Sequence, residues 1–140
     1  MIDTAIEIIK SGKATCVVMQ DGVVVGEATG IGVKPILHFL ENSDKLKEAH
    51  VADKIVGKAA SMLLVQGGVR CVYGEVMSES GYIFLKNRDI DVSYGQLVKM
   101  IKSRTGTGMC PLEESVIDID DIKEGYHAIK ATIAKLMNKK

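Results

Sequence analysis

One segment toward the carboxyl end carries residue types that could support chemistry: residues 104–114, with the sequence RTGTGMCPLEE. Proline is well tolerated at the first position of a helix, so Pro111 predicts a helix start with Cys110 at or beside the N-cap and Glu113 in the first turn. The free amides and the dipole of that helix would favour a thiolate at Cys110, whereas the nearby charge of Glu113 would oppose it. The pattern leaves two interpretations open: a cysteine nucleophile, or a buried and inert cysteine.

The glycine-rich part of the same segment is a candidate anion-binding loop. The backbone amides of Gly106, Thr107 and Gly108 could approach an anion, as phosphate-cradling loops do. The spacing GxxxxGK[ST] is absent, so the segment is not a Walker loop.

A second informative stretch is residues 49–68, AHVADKIVGKAASMLLVQGG, whose apolar run predicts one helix enclosed on nearly all sides. Gly57 costs about 1 kcal/mol in a helix interior, and therefore indicates a close approach by another backbone or a ligand. Helical spacing gathers several side chains into one narrow polar stripe whose inner end would line a pocket: Asp53, Lys54, Lys58 and Ser61. The alternative is a core helix with solvated ends.

Cysteine and histidine usage bears on metals and on the cell compartment. Cys16, Cys71 and Cys110 are odd in number and never paired as CxxC, which argues against a disulfide framework and favours a reducing cytoplasm. A zinc site needs three or four ligands, and its only candidate donors here are His50, Cys71, Cys110 and Glu113. We therefore expect neither a metal nor another cofactor.

Composition limits the partners. The 140 residues suit a single domain, residues 1–140, and the 18 basic residues equal the 18 acidic ones. With no polybasic field and no apolar run of spanning length, we expect no nucleic-acid polymer and no membrane as partner. The amino terminus lacks the basic lead-in of a secretory signal. A small molecule or a protein, including a second copy in a homodimer, remains.

Periodicity and turn residues predict an ordered series of elements. They are a helix over 2–9, strands over 13–20 and 23–29 joined by Asp21-Gly22, a helix over 36–40, the helix within 49–68, a strand over 69–77, a helix over 79–87, a strand over 91–94, helices over 96–103 and 109–115, and a C-terminal helix within 118–138. This order predicts a layered α/β domain with a mixed sheet.

Three segments carry a resemblance to a known family: ADKIVGKAA at 52–60, DVSYG at 91–95 and GTGMCPLE at 106–113. They resemble an uncharacterised prokaryotic family, domain of unknown function 1893, grouped by fold with cytidine deaminases. The resemblance covers roughly residues 5–118. It implies a three-layer α/β/α sandwich of the cytidine deaminase-like kind, with a pocket between the starts of the 52–60 helix and the helix near Cys110.

The chain departs from the zinc motifs of active deaminases, H-x-E at one helix start and P-C-x-x-C at the other. Residues 50–52 are His-Val-Ala, without the glutamate, and residues 110–113 are Cys-Pro-Leu-Glu, with the Cys and Pro reversed and a glutamate for the second cysteine. The resemblance therefore implies a pocket without the zinc cage. The residues left to furnish it are Asp53, Lys54, Lys58, Cys110 and Glu113.

The leading hypothesis is a metal-free, deaminase-like domain that binds a small molecule such as a nucleotide or nucleobase. Lys58 or Lys54, with the amides of residues 106–108, would hold an anionic or carbonyl group, and Asp53 or Glu113 a polar edge. One alternative is a transferase or hydrolase with Cys110 as nucleophile and Asp53 or Glu113 managing protons. A further alternative is a non-catalytic interaction module, and a zinc-dependent deaminase comes last.

Overall fold

The fold is that of a computed structural model that describes residues 2–30, 32–103, 106 and 108–138. Within these residues the chain forms six helices around one five-stranded sheet. The elements in chain order are α1 (Asp3–Ser11), β1 (Cys16–Gln20), β2 (Val23–Ala28), α2 (Lys34–Asn42), β3 (His50–Val56), α3 (Lys58–Gly67), β4 (Cys71–Ser78), α4 (Glu79–Lys86), β5 (Asp91–Val98), α5 (Pro111–Ser115) and α6 (Ile122–Asn138).

The predicted hairpin of β1 and β2 is confirmed, although β1 begins at Cys16 rather than at residue 13. Gln20 faces Val23 across the turn, and the two residues between them, Asp21 and Gly22, both have positive φ, 50° and 79°. Two left-handed residues in succession match the right-handed twist of the flanking strands. The Asp-Gly pair therefore fixes the register of the hairpin.

The sheet is mixed, as predicted, with the strand order β2-β1-β3-β4-β5. β1 pairs antiparallel with both β2 and β3, whereas β3, β4 and β5 run parallel to one another. Parallel strands end at the same edge of a sheet, and the segments that follow them meet there. The chain after β3, after β4 and after β5 therefore emerges on one side of the molecule.

The single helix predicted over residues 49–68 is wrong in its first half, because residues 50–56 form the central strand β3. A short apolar run suits a buried strand as well as a buried helix, and here Val51 and Val56 favour a strand. β3 is hydrogen-bonded on both sides, to β1 and to β4. Gly57 follows with extended backbone angles and caps α3, which begins at Lys58. The polar stripe expected from helical spacing does not exist.

The helix predicted over residues 96–103 is also wrong. β5 continues to Val98, which pairs with Ser78 of β4, and Lys102 then forms an isolated bridge with Met109. Pairing with β4 supplies backbone hydrogen bonds that outweigh the weak helical pattern. The helix start predicted beside Cys110 is confirmed, because α5 begins at Pro111.

Helices cover both faces of the sheet, which makes the fold an α/β sandwich. α1 packs on one face through a small cluster that includes Ala5, Ile9 and Tyr73. The larger core lies on the other face, where α2, α4 and α6 surround α3. The first seven residues of α3 are all buried. Among the described residues, no helix has both the length and the apolar character needed to cross a membrane.

Candidate functional site

A cavity of about 510 Å³ lies beyond the carboxyl ends of the three parallel strands. Lys58 follows β3, Ser80 follows β4 and Lys99 follows β5, and all three line this cavity. We call it the strand-end cavity. Its volume is typical of small-molecule sites, which measure roughly 300–1,000 Å³.

One face of α4, continued by the two residues after it, forms one wall of the strand-end cavity. Residues 80, 83, 84, 87 and 88 recur at helical spacing and all line it. The remaining apolar wall comes from the segment between β5 and α5 and from a residue just after α5. Its members are Met100, Ile101, Met109 and Ile117. The cavity therefore combines an apolar wall with a few charged groups, as ligand sites commonly do.

The carboxylate of Glu113 caps the amino end of α3. Oε1 accepts a hydrogen bond from the Lys58 backbone N–H at 2.7 Å, and Oε2 accepts one from the Ala59 N–H at 2.9 Å. A helix leaves its first amides without partners, and its dipole favours negative charge at this end. Glu113 is 8% exposed. Burial raises its pKa, and the two amide hydrogen bonds oppose that rise.

Two glycines make room for this cap. A Cβ built on Gly57 would overlap the carboxylate of Glu113, and a Cβ on Gly81 would lie 2.9 Å from the carbonyl carbon of Gly57. Ser61 stabilises the first turn of α3, since its hydroxyl donates a hydrogen bond to the Gly57 carbonyl oxygen at 2.8 Å. The close approach predicted for Gly57 is therefore present, and the neighbours are the Glu113 side chain and the backbone of α4.

Lys58 lines the cavity with a side chain that is only 11% exposed. Its Nζ lies 3.1 Å from Oδ1 of Asp120 and 3.4 Å from the carbonyl oxygen of Ile117. The Asp120 side chain is 85% exposed, and such half-solvated pairs contribute about 0–1 kcal/mol to stability. Lys58 is therefore held in position without a strong ion pair.

Asp53 lies in β3, outside the residues that line the strand-end cavity. It faces Cys16 across the β1–β3 pairing and is 5% exposed. Burial raises its pKa to about 8, against hydrogen bonds from the backbone of Ile55 and Lys54 that lower it. Burial, followed by the charge of Asp53, raises the pKa of the Cys16 thiol well above its usual value. The sequence grouped Asp53 with Lys58, and the structure separates them.

The other predicted residues are also spread apart. Lys54 is exposed on β3, and Cys110 is half-buried at the N-cap of α5, packed against the core. The amide of Gly106 donates to the carbonyl of Ser103, so it is not free to hold an anion. None of these residues, nor Gly108, belongs to the described lining of the strand-end cavity. Thr107 lies outside the described residues.

Of the residues that line the cavity, the sequence singled out only Lys58 and Glu113 as site residues; Ser80, Arg88 and Lys99 are among the polar or charged ones that it did not. Arg88 stacks on the Phe84 ring, 3.5 Å from its centroid, and donates to the backbone oxygens of Phe84 and Asp120. A usable signal existed for the other two, because Lys99 directly follows β5 and Ser80 is the second residue after β4. This signal can be recognised only when all three parallel strands are predicted. The sequence pattern predicted a helix where β3 lies.

The residues at this site do not fit the zinc centre of the deaminases. That centre takes one His and two Cys ligands, or three Cys, with a glutamate as proton carrier. Within the described part of the chain, no three His, Cys, Asp or Glu side chains are grouped to hold a metal ion. His50 opens β3 rather than a helix, so the comparison of residues 50–52 with H-x-E was misplaced. The helix start itself, Gly57-Lys58-Ala59, carries neither His nor Glu.

Comparison with known proteins identifies the family and the fold. A crystal structure of a DUF1893 family protein from Thermotoga maritima, at 2.70 Å resolution, superposes with a TM-score of 0.82. The match covers 96% of this chain and 88% of that one at 24% sequence identity, so it shows a shared fold alone. No curated protein matches the chain. The family model described as domain of unknown function (DUF1893) matches residues 4–133, and the chain therefore belongs to this family.

Proposed function

We propose that this protein is a metal-independent, deaminase-like domain that binds a small molecule, a nucleotide or nucleobase in the first instance, in the strand-end cavity. One observation carries the proposal: the residues that follow three neighbouring parallel strands, Lys58, Ser80 and Lys99, line a single cavity of about 510 Å³. In open α/β sheets, ligands bind outside the carboxyl ends of the strands.

The site is better suited to binding a small molecule than to catalysing its hydrolysis. Glu113, the residue best placed to move protons, already accepts two backbone hydrogen bonds from α3. A carboxylate engaged in this way stabilises the helix and has fewer free lone pairs for a substrate. The deaminase-like classification rests on the resemblance of segments 52–60 and 106–113, and the three free cysteines support a reducing cytoplasm as its location.

Isothermal titration against a panel of nucleotides, nucleosides and nucleobases tests the proposal. We expect saturable binding of at least one member, weakened roughly tenfold by Lys58→Met, because a charged hydrogen-bond donor is lost from the cavity. Lys54→Met is the matched control, since Lys54 is an exposed lysine four residues away that does not line the cavity. Absence of binding throughout the panel, or equal weakening by both variants, contradicts the proposal.

A further inference from the structure

The charged groups that line the strand-end cavity are unequal in number. Three are cations, Lys58, Arg88 and Lys99, and two are carboxylates, Glu113 and Asp120. Glu113 accepts the two amides of α3, and Asp120 pairs with Lys58. Among the described residues, neither Arg88 nor Lys99 has a carboxylate partner. Arg88 and Lys99 are therefore the cations of the described lining whose charge is not matched by a carboxylate.

Arg88 is fixed in place before any ligand arrives. Its guanidinium stacks on the Phe84 ring, while Nη1 donates to the Phe84 carbonyl at 3.2 Å and Nη2 to the Asp120 carbonyl at 3.0 Å. A guanidinium has five N–H groups, so three remain for a ligand. A preorganised guanidinium loses less conformational entropy when it binds a carboxylate or phosphate.

The rest of the lining is apolar and adaptable. Met100, Ile101 and Met109 line the cavity from the segment that begins at Lys99, and Ile83 lines it from α4. Met100 and Ile83 are 38% and 55% exposed, so both leave apolar surface open to a ligand. Methionine accommodates varied apolar shapes and makes favourable sulfur–aromatic contacts. This wall suits the carbon body of a ligand, not its charged group.

We infer that the ligand of the strand-end cavity is a small organic anion, with its phosphate or carboxylate held by Arg88 and Lys99 and its carbon body packed on the methionine and isoleucine wall. The inference rests on the proposed function and deepens it, because it selects nucleotides and organic acids over nucleobases and nucleosides. Arg88 is partly buried and Lys99 is exposed, and an anion would give both cations a counter-charge that a neutral ligand cannot supply.

Titrations with matched charged and neutral probes test this inference, with ¹³C-methyl methionine NMR as the readout. The pairs are adenosine 5′-monophosphate with adenosine, and octanoate with octanamide, so that phosphate and carboxylate sources are separated. The Met100 and Met109 methyl signals, assigned through Leu substitutions, report occupancy of the cavity. Met62 and Met77 are fully buried outside the lining and serve as internal controls.

We expect at least one anion to shift both cavity methyl signals and to bind roughly tenfold more tightly than its neutral partner. Lys99→Met should remove most of that difference and Lys86→Met should not, because Lys86 is an exposed lysine of α4 outside the cavity. Equal binding of an anion and its neutral partner overturns the inference and leaves the proposed function standing. Failure of every probe here and of the nucleotide panel to shift the cavity methyls rejects both.

Discussion

The carboxylate of Glu113 occupies the space in which a side chain at Gly57 would begin. The two residues are 56 positions apart in sequence, and the hydrogen bonds from the Lys58 and Ala59 amides bring them into contact. A long-range carboxylate thus does what a serine or aspartate at the N-cap does in most helices. This contact joins α5 to the buried start of α3, and the strand-end cavity forms beside it.

Gly57→Ala should destabilise the protein strongly. The added methyl group meets the Glu113 carboxylate, and overpacking of this kind costs about 1–3 kcal/mol. Gly108→Ala is the control, because a Cβ there meets nothing within 4 Å. Urea unfolding of the two variants measures the difference, and equal midpoints would contradict the contact.

A double-mutant cycle isolates the pair. In a Glu113→Ala background the obstacle to a side chain at position 57 is gone, so the cost of Gly57→Ala should fall below about 1 kcal/mol. Additive free energies of unfolding would mean that Gly57 is needed for another reason.

Loss of the cap should itself destabilise α3. Glu113→Ala leaves the Lys58 and Ala59 amides without a partner at a buried helix start, at a cost of about 1–3 kcal/mol. Glu114→Ala removes the neighbouring exposed carboxylate of α5 and should change the unfolding free energy by less than about 0.5 kcal/mol. Thermal unfolding of both variants measures the difference. Similar melting temperatures for Glu113→Ala and Glu114→Ala would contradict the capping role of Glu113.

Asp53 should make the protein less stable as the pH rises. Burial raises the pKa of Asp53 from 3.8 to about 8 in the folded protein, so between these values the folded state holds a proton that the unfolded chain has released. Unfolding then releases that proton, and the free energy of unfolding should fall by about 1 kcal/mol per pH unit in this window. The loss is complete above pH 8.

Asp53→Asn should flatten this slope, because an amide of similar shape does not titrate. The variant is expected to exceed the unsubstituted protein in stability at pH 8 and to lose that advantage near pH 4. Glu7→Gln on α1 is exposed and serves as the control. Urea titrations at several pH values give the free energy of unfolding as a function of pH. If this dependence is the same in Asp53→Asn as in the unsubstituted protein, another group causes it.

Two of the three cysteines, Cys16 and Cys110, differ in exposure and should react at different rates. Cys16 is fully buried and its thiol pKa is raised, so it should react with iodoacetamide only as fast as the protein unfolds. Cys110 is half-buried, and no histidine of the described chain is hydrogen-bonded to it. We expect Cys110 to react no faster than a peptide thiol at pH 7. Mass spectrometry measures the labelling rate. A rate above that of the peptide thiol would support the alternative of an enzyme that uses Cys110 as nucleophile.

Local signals in the chain were sufficient for several elements. Asp21-Gly22 determines the hairpin because two residues with positive φ are needed there, and Pro111 determines the start of α5 because proline fits the first helical position. The α/β class and the mixed sheet followed from the order of such segments. The resemblance of residues 106–113 pointed to the family that the comparison confirms.

The site needed long-range information. Residues 50–56 are apolar enough for a buried helix or a buried strand, and only pairing with both β1 and β4 decides between them. That strand places Asp53 outside the cavity lining, and the pairing of β5 with β4 as far as Val98 brings Lys99 into the same cavity as Lys58.

The sequence by itself determined the Asp21-Gly22 turn, the start of α5 and the α/β class, because these depend on neighbours a few residues apart. Only the tertiary structure decided that Glu113 caps α3 and that residues following three parallel strands line one cavity. Such contacts join residues tens of positions apart, and their free energy depends on burial and hydrogen bonding that no local pattern of residue types records.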